Sequence, residues 1–182
     1  DQWDPALLAE QVAGTPADWP ALARRLSAVI REHDTETPIL INPDGFGHSR
    51  FAGLLDLNSA PGIVLALHDY SPRGYTHQAR GAGIDFELGE AEFIPPDAAR
   101  WMMGEFGVAR WAPQAARYLR RRVNSLERAG AGWVYEDREN MFNPVYGADP
   151  DAVTPPGDAP MLTALQDLWR RNRMHPQSLL RR

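Results

Sequence analysis

The 182-residue chain has no cysteine, which excludes disulfide bridges and thiolate metal sites. Lysine is missing as well: all 19 basic side chains are arginine, a bias that reflects a GC-rich coding sequence more than a physical demand. Against 24 acidic residues this leaves a formal net charge of −5 and a pI near 5.5. No nucleic-acid partner is expected from that balance, because phosphate binding needs a basic face. No apolar run approaches the roughly 20 residues that span a bilayer, so no membrane partner is expected either. An initiator methionine and a visible signal peptide are lacking too; the chain opens on Asp1, which reads as a processed or cut terminus.

What is present suits one domain, residues 1–182, with a real hydrophobic core. Apolar runs alternate with helical periodicity. Ala6-Leu7-Leu8-Ala9 reads as a short strand ending on Glu10. Asp18 reads as the N-cap of a helix that carries Trp19, Leu22, Leu26, Val29 and Ile30 on its inner face as far as His33. Pro38 to Asn42 is a second strand, closed by a Pro43-Asp44-Gly45 turn. Ile63 to Leu67 is a third, ending on His68, and Trp101 to Glu105 a fourth. A helix from about 112 to 128 follows, facing inward through Ala116, Leu119, Val123 and Leu126. Gly132 to Tyr135 is a fifth strand, 149–160 a loop, and 161–173 a last amphipathic helix. Residues 78–100, with Gly81, Gly83, Gly89, Pro95 and Pro96, read as loop.

Uninterrupted apolar strands with helices between them indicate a parallel sheet covered by helices. The ends of those strands carry Glu10, Asn42, His68 with Tyr70, Glu105, and Glu136 with Asp137. Polar or ionisable groups delivered to one rim fit the active-site face of a β/α barrel better than a doubly wound sheet. Glu105 stands out, as a carboxylate at the end of an apolar strand and just before Gly107. Such a group is costly unless it is paired or used. Either it reacts, or it is a capping or salt-bridged glutamate.

Several segments together resemble a known family. Pro38 to Gly47 (PILINPDGFG), Leu67 to Gln78 (LHDYSPRGYTHQ), Gly104 to Gly107 (GEFG) and Gly130 to Gly147 (GAGWVYEDRENMFNPVYG) are similar, in this order, to the C-terminal part of family 5 glycoside hydrolases, the cellulase-like retaining β-glycanases. The resemblance covers most of the chain from Trp19 onward. It implies a partial (β/α)8 barrel, roughly the fourth to eighth βα units. It also implies retaining hydrolysis of a β-1,4-glucan-type polysaccharide or oligosaccharide, by a secreted and therefore extracellular enzyme. Glu105 would be the nucleophile and Glu10 the acid/base, with His68, Tyr70, Asn42, Glu136 and Trp133 contacting substrate. No cofactor and no metal are implied, since two carboxyl groups about 5–5.5 Å apart suffice. Ala9 and Gln11 stand where the family has Asn and Pro. Loss of that asparagine's bond to the sugar costs on the order of 2–4 kcal/mol of barrier, by analogy with oxyanion donors.

A complete barrel of this kind takes about 250 residues. A partial one exposes sheet edges and apolar interior, so either a second copy, forming a homodimer, or a separate N-terminal half would complete it. Two further readings stay open beside the enzyme: a glycan-binding relic without turnover, and a barrel half that needs a partner chain.

Overall fold

Asp4 and Pro5 begin the first element: the Asp4 carboxylate accepts from the Ala6 and Leu7 amides, and Pro5 sits where its missing N–H is harmless. The result is helix α1, Pro5–Val12, in place of the strand expected over residues 6–9. A four-residue apolar run cannot distinguish the two structures, and the cap decides it. A computed structural model describes residues 4–56, 61–93, 100–137, 141–152, 155 and 157–171. Its contacts gather into two compact units, described separately below.

The first unit comprises Asp1–Asp69, Ile94–Phe106 and Leu126–Tyr135. Helix α2, Trp19–His33, starts as expected at Asp18, whose side chain accepts from the Ala21 amide. Its buried face differs from the expected one. Ala23 and Ser27 are buried, while Leu22, Leu26, Val29 and Ile30 are 39%, 46%, 53% and 43% exposed. Ala23 joins Ile41 and Ile63 in a core cluster against which Trp19, Ile39 and Leu55 pack. Small residues on this face let the helix approach closely, which leaves the bulky stripe open.

Three parallel strands form the sheet in the order β1-β2-β3: β1 Ile39–Ile41, β2 Ile63–His68 and β3 Trp101–Glu105. The β2–β3 register pairs Leu67 with Met103 and then His68 with Glu105, so a bulge passes over Gly104. A Cβ on Gly104 would stand 3.2 Å from the Ala66 Cβ and 3.5 Å from the His68 ring, so glycine leaves the room this step uses. The expected fifth strand is reduced to one parallel bridge between Met103 and Trp133. There the Met103 amide donates to the Gly132 carbonyl and the Val134 amide to the Met103 carbonyl, each at 2.9 Å. Gly130 and Gly132 offer no side chains for cross-strand packing that would extend it.

The second unit comprises Tyr70–Phe93, Gly107–Ser125 and Glu136–Arg182. Helix α3, Ala115–Arg128, begins near the expected position; as far as Ser125 it belongs to this unit, where Leu119 and Val123 are buried, and Leu126, also buried, is counted with the first. Tyr75 packs on Phe86 and Tyr118, with ring centroids 4.8 and 5.2 Å away, and its hydroxyl donates to the Pro113 carbonyl. Helix α4, Pro160–Arg171, buries Met161, Ala164, Leu165 and Leu168, and its Asp167 pairs with Arg120 at 2.9 Å. Residues 78–93 are irregular apart from a 3-10 turn at Leu88–Ala91. Among the described residues, no helix is long and apolar enough to cross a membrane.

Candidate functional site

Asn42, His68 and Glu105 come together at the ends of β1, β2 and β3, and a chain of hydrogen bonds fixes their roles. The Asn42 amide nitrogen donates to the Ala66 carbonyl at 2.8 Å, which settles which end of the amide is nitrogen. Its second hydrogen faces the His68 Nε2 at 2.7 Å, so that ring nitrogen is the acceptor. The proton of a neutral imidazole then sits on Nδ1, which stands 3.2 Å from the Glu105 Oε2 and donates to it. A backbone carbonyl inside the sheet thus orients the asparagine, the asparagine orients the histidine, and the histidine orients the carboxylate. Glu105 keeps 38% of its side chain exposed, so it is held but still accessible. Its backbone is tied down too, because its carbonyl accepts from the Asp69 amide at 3.0 Å.

A cleft of about 460 Å³ opens at this point, lined by Trp19, Asn42, Asp44, Phe46, His68 and Glu105 together with Pro43, Gly45 and Gly47. Trp19 is anchored by its indole N–H, which donates to the Asn42 carbonyl at 2.8 Å. The turn Asp44–Gly47 forms one wall. Gly47 has φ +80°, and a Cβ there would lie 2.8 Å from the His68 Cγ; glycine therefore serves both the turn and the seat of the imidazole. Burial pushes the Asp44 carboxyl above the usual aspartate range, and the charge of Asp18 adds to the shift. Its Oδ2 is buried without a hydrogen-bond partner among the described residues.

Of the residues singled out from the sequence, the cleft gathers Glu105, His68 and Asn42. Glu10 is an exposed residue of α1 and is not among the described residues lining the cleft, so the strand-end placement expected for it does not hold. Trp133 belongs to the first unit but packs edge-to-face on Phe106, with centroids 6.0 Å apart, and is likewise absent from the lining. Tyr70 and Glu136 fall in the second unit. The Tyr70 ring stacks on Phe142 at 5.7 Å and meets His77 edge-on at 4.9 Å, and its carbonyl accepts from the Thr76 hydroxyl. Glu136 is half-buried, with its backbone carbonyl close to Gly107.

The sequence reading missed Trp19, Asp44 and Phe46 as lining residues. Trp19 carried a signal, being a tryptophan at the first position of a helix, but helical periodicity assigned it to the core. Asp44 and Phe46 were hidden in what read as an ordinary turn. Among the described residues no group of three His, Cys, Asp or Glu side chains is placed to hold a metal ion.

No family model and no curated protein sequence matches the chain. Solved structures do. The chain is similar to Thermotoga maritima Cel5A in complex with cellobiose, at 23% identity and a TM-score of 0.63, over 84% of this chain and 55% of that one. Similarity to the cellulose synthase subunit Z of Clostridioides difficile has a TM-score of 0.63 at 17% identity, over 81% of this chain and 55% of the other. A hyperthermophilic endo-β-1,4-glucanase in complex with substrate matches with a TM-score of 0.64 at 20% identity, over 82% of this chain and 54% of its own. The chain therefore spans about half the length of the structures it resembles. Those neighbours are cellulases of glycoside hydrolase family 5, and what this chain shares with them is the fold: a parallel α/β arrangement that matches part of their barrel.

Proposed function

We propose that this chain carries the nucleophile side of a retaining β-glycan hydrolase site, with Glu105 attacking the anomeric carbon of a β-1,4-linked sugar. The observation that carries the reading is the Ala66–Asn42–His68–Glu105 chain of hydrogen bonds, which holds an accessible carboxylate in one rotamer at the end of β3. Attack expels the leaving sugar and forms a glycosyl ester on Glu105, which water then hydrolyses with net retention. The Nδ1–H of His68 bonds the ionised carboxylate and keeps one oxygen directed at the sugar. Tyr70, Glu136 and Trp133 enter this reading on the family resemblance alone, and so does an extracellular location. Glu10 is not assigned the acid/base role, because α1 leaves it outside the cleft lining.

That gap chooses the experiment. An activated 2-deoxy-2-fluoro glycoside has a leaving group good enough to depart without an acid, and its slow second step traps the ester. The protein is incubated with the dinitrophenyl 2-fluoro derivatives of cellobiose and mannobiose, and its intact mass is measured. One added disaccharide mass, mapping to Glu105 and abolished in Glu105→Gln, is the expected outcome. A folded protein that takes up neither probe would sink the reading.

A second reading is favoured by a different observation. The outer edge of β1 is unpaired among the described residues, Leu40 on that strand is 55% exposed, and the α2 stripe of Leu22, Leu26, Val29 and Ile30 is open. In this reading the chain is a barrel half whose site works only once a second polypeptide covers those surfaces.

A further inference from the structure

Asp44 and Gly45 make the chain's one Asp-Gly step, and no Asn-Gly step occurs. An aspartate is most open to attack by its own backbone when glycine follows, because glycine puts no side chain beside the amide nitrogen. Here the step lies in the wall of the cleft and leads into three consecutive left-handed residues: Gly45 at φ 61°, Phe46 at φ 59° and Gly47 at φ 80°. Phe46 carries a Cβ, which that conformation disfavours, and its ring is 90% exposed, so no burial offsets the strain. The turn's backbone bonds run from the Gly47 amide to the Pro43 carbonyl at 3.0 Å and from the His48 amide to the Gly45 carbonyl at 3.3 Å. Neither engages the Gly45 nitrogen.

The carboxyl beside that nitrogen is in the state such an attack needs. Its Oδ2 has no hydrogen-bond partner among the described residues. Burial and the charge of Asp18 favour the neutral acid, against the opposing bond from the Asp44 amide. A neutral carboxyl can lose its hydroxyl as water, whereas a carboxylate would have to expel oxide. We infer that Asp44–Gly45 is a self-modifying peptide step, which closes to a succinimide and reopens as isoaspartate, and that this conversion unseats His68. In the first step the Gly45 nitrogen bonds to the Asp44 Cγ, and the amide hydrogen leaves with the Cγ hydroxyl as water. In the second, water adds at the Asp44 main-chain carbonyl carbon, and the original bond from that carbon to the Gly45 nitrogen breaks. The nitrogen regains its hydrogen, and the main chain now runs through the Asp44 Cβ. No oxidant or reductant enters, and the mass returns to its starting value. The added methylene frees Phe46 from the left-handed turn and shifts Gly47. A Cβ on Gly47 would stand 2.8 Å from the His68 Cγ, so turn and imidazole are packed together and moving one moves the other. His68 in turn holds the Glu105 Oε2 at 3.2 Å. The modification therefore reaches the site through packing, whatever reaction the site performs.

The test stores the folded protein in mildly acidic buffer beside Asp44→Glu and a free peptide of residues 41–49. Isoaspartate is measured by enzymatic methyl transfer to the isoaspartyl carboxylate and mapped by fragmentation of digested peptides. A species lighter by one water marks the succinimide. The native chain should accumulate isoaspartate at Asp44 at least as fast as the peptide does. Asp44→Glu, whose longer side chain must close a less favourable six-membered ring, should show no conversion at that position. Nitrogen NMR of the imidazoles should show the His68 signals displaced in the converted fraction. A native chain that converts about tenfold more slowly than the peptide, or not at all, overturns the self-modifying step. Conversion with unchanged His68 signals overturns its link to the site. Neither readout involves a sugar, so both stand apart from the labelling of Glu105 that tests the glycan reading.

Discussion

Asp44 shows what the cleft demands of a single residue. Its carboxyl is half-buried, its Oδ2 has no partner among the described residues, and Asp18 lies close enough to add repulsion. All of this disfavours the charged form and raises the folded-state pKa above 3.8. The sign of the linkage follows. Below 3.8 both folded and unfolded chains carry a neutral Asp44 and no penalty exists. As pH rises through the folded value, the unfolded chain has already lost its proton and the folded chain must follow at a cost. Asp44→Asn, which cannot ionise, should therefore melt progressively higher than the parent as pH is raised from about 3.5 to 7, the range that brackets the shift. Thermal melts of both proteins across that range check this, and a difference independent of pH would contradict it. Asp34 works in the opposite sense: the Thr37 side chain and the Thr37 and Glu36 amides hold its carboxyl at about 2. The stability it contributes is present above 3.8 and lost as pH falls through about 2. At this scale the sequence was partly legible. A lone carboxylate ending an apolar strand marked Glu105, and strand ends marked Asn42 and His68. Asp44 and Phe46 left no trace, because their role comes from left-handed turn geometry that "PDGFG" permits without requiring.

At the scale of elements, the legible parts were those in which a local signal and a tertiary contact agree. Asp18 caps α2, β2 and β3 end at His68 and Glu105, and α3 buries Leu119, Val123 and Leu126. Where only a short apolar run was available, α1 was mistaken for a strand, and the acid/base placement of Glu10 fell with it. Arg110 escaped notice for another reason, since one arginine among 19 carries no periodic signal. The structure makes it a clamp: it is 2% exposed, and its guanidinium donates to the carbonyls of Tyr146, Gly147, Asp149, Pro150 and Ala152. A loop with little regular pairing of its own is thereby organised around one planar, multiply donating side chain. Burial pulls the Arg110 pKa down from its ordinary value, while Asp149 opposes that shift. Arg110→Met should cost about 2–4 kcal/mol, because five carbonyls, one of them buried and most of the others partly so, lose a charged donor together. Arg110→Lys should recover less than half of that, as one ammonium cannot reach so spread a set of acceptors. Urea unfolding of the three proteins measures both values, and full recovery by lysine would show that charge alone, rather than the fork of donors, organises the loop.

For the whole molecule, the open surfaces of the first unit set the question of what the chain does alone. Leu22, Leu26, Val29 and Ile30 form a stripe on α2 whose spacing is that of an inner helix face, yet the face that is covered is the one with Trp19, Ala23 and Ser27. The inner face expected from the periodicity of Leu22, Leu26, Val29 and Ile30 is therefore not buried within this chain. The edge of β1, unpaired among the described residues, adds backbone donors and acceptors beside the exposed Leu40. Apolar side chains at helical spacing beside an open parallel edge are a surface that a further βα unit can cover, and this chain spans about half the length of the structures it resembles. If a second copy covers them, the contact is isologous and its strength depends on concentration. Sedimentation from about 1 to 100 μM should then show the mass rising from one chain toward two, since stable interfaces bury on the order of 1,200 Å² or more and the stripe with the edge can supply a core for one. Leu26→Glu with Val29→Glu should hold the protein at one chain across that range, because each places a charge where desolvation would be required. If the parent stays at one chain at every concentration while remaining folded, self-completion is ruled out. The nucleophile reading would then have to stand on labelling of the single chain, where the hydrogen-bonded carboxylate of Glu105 is already assembled by β1, β2 and β3 alone.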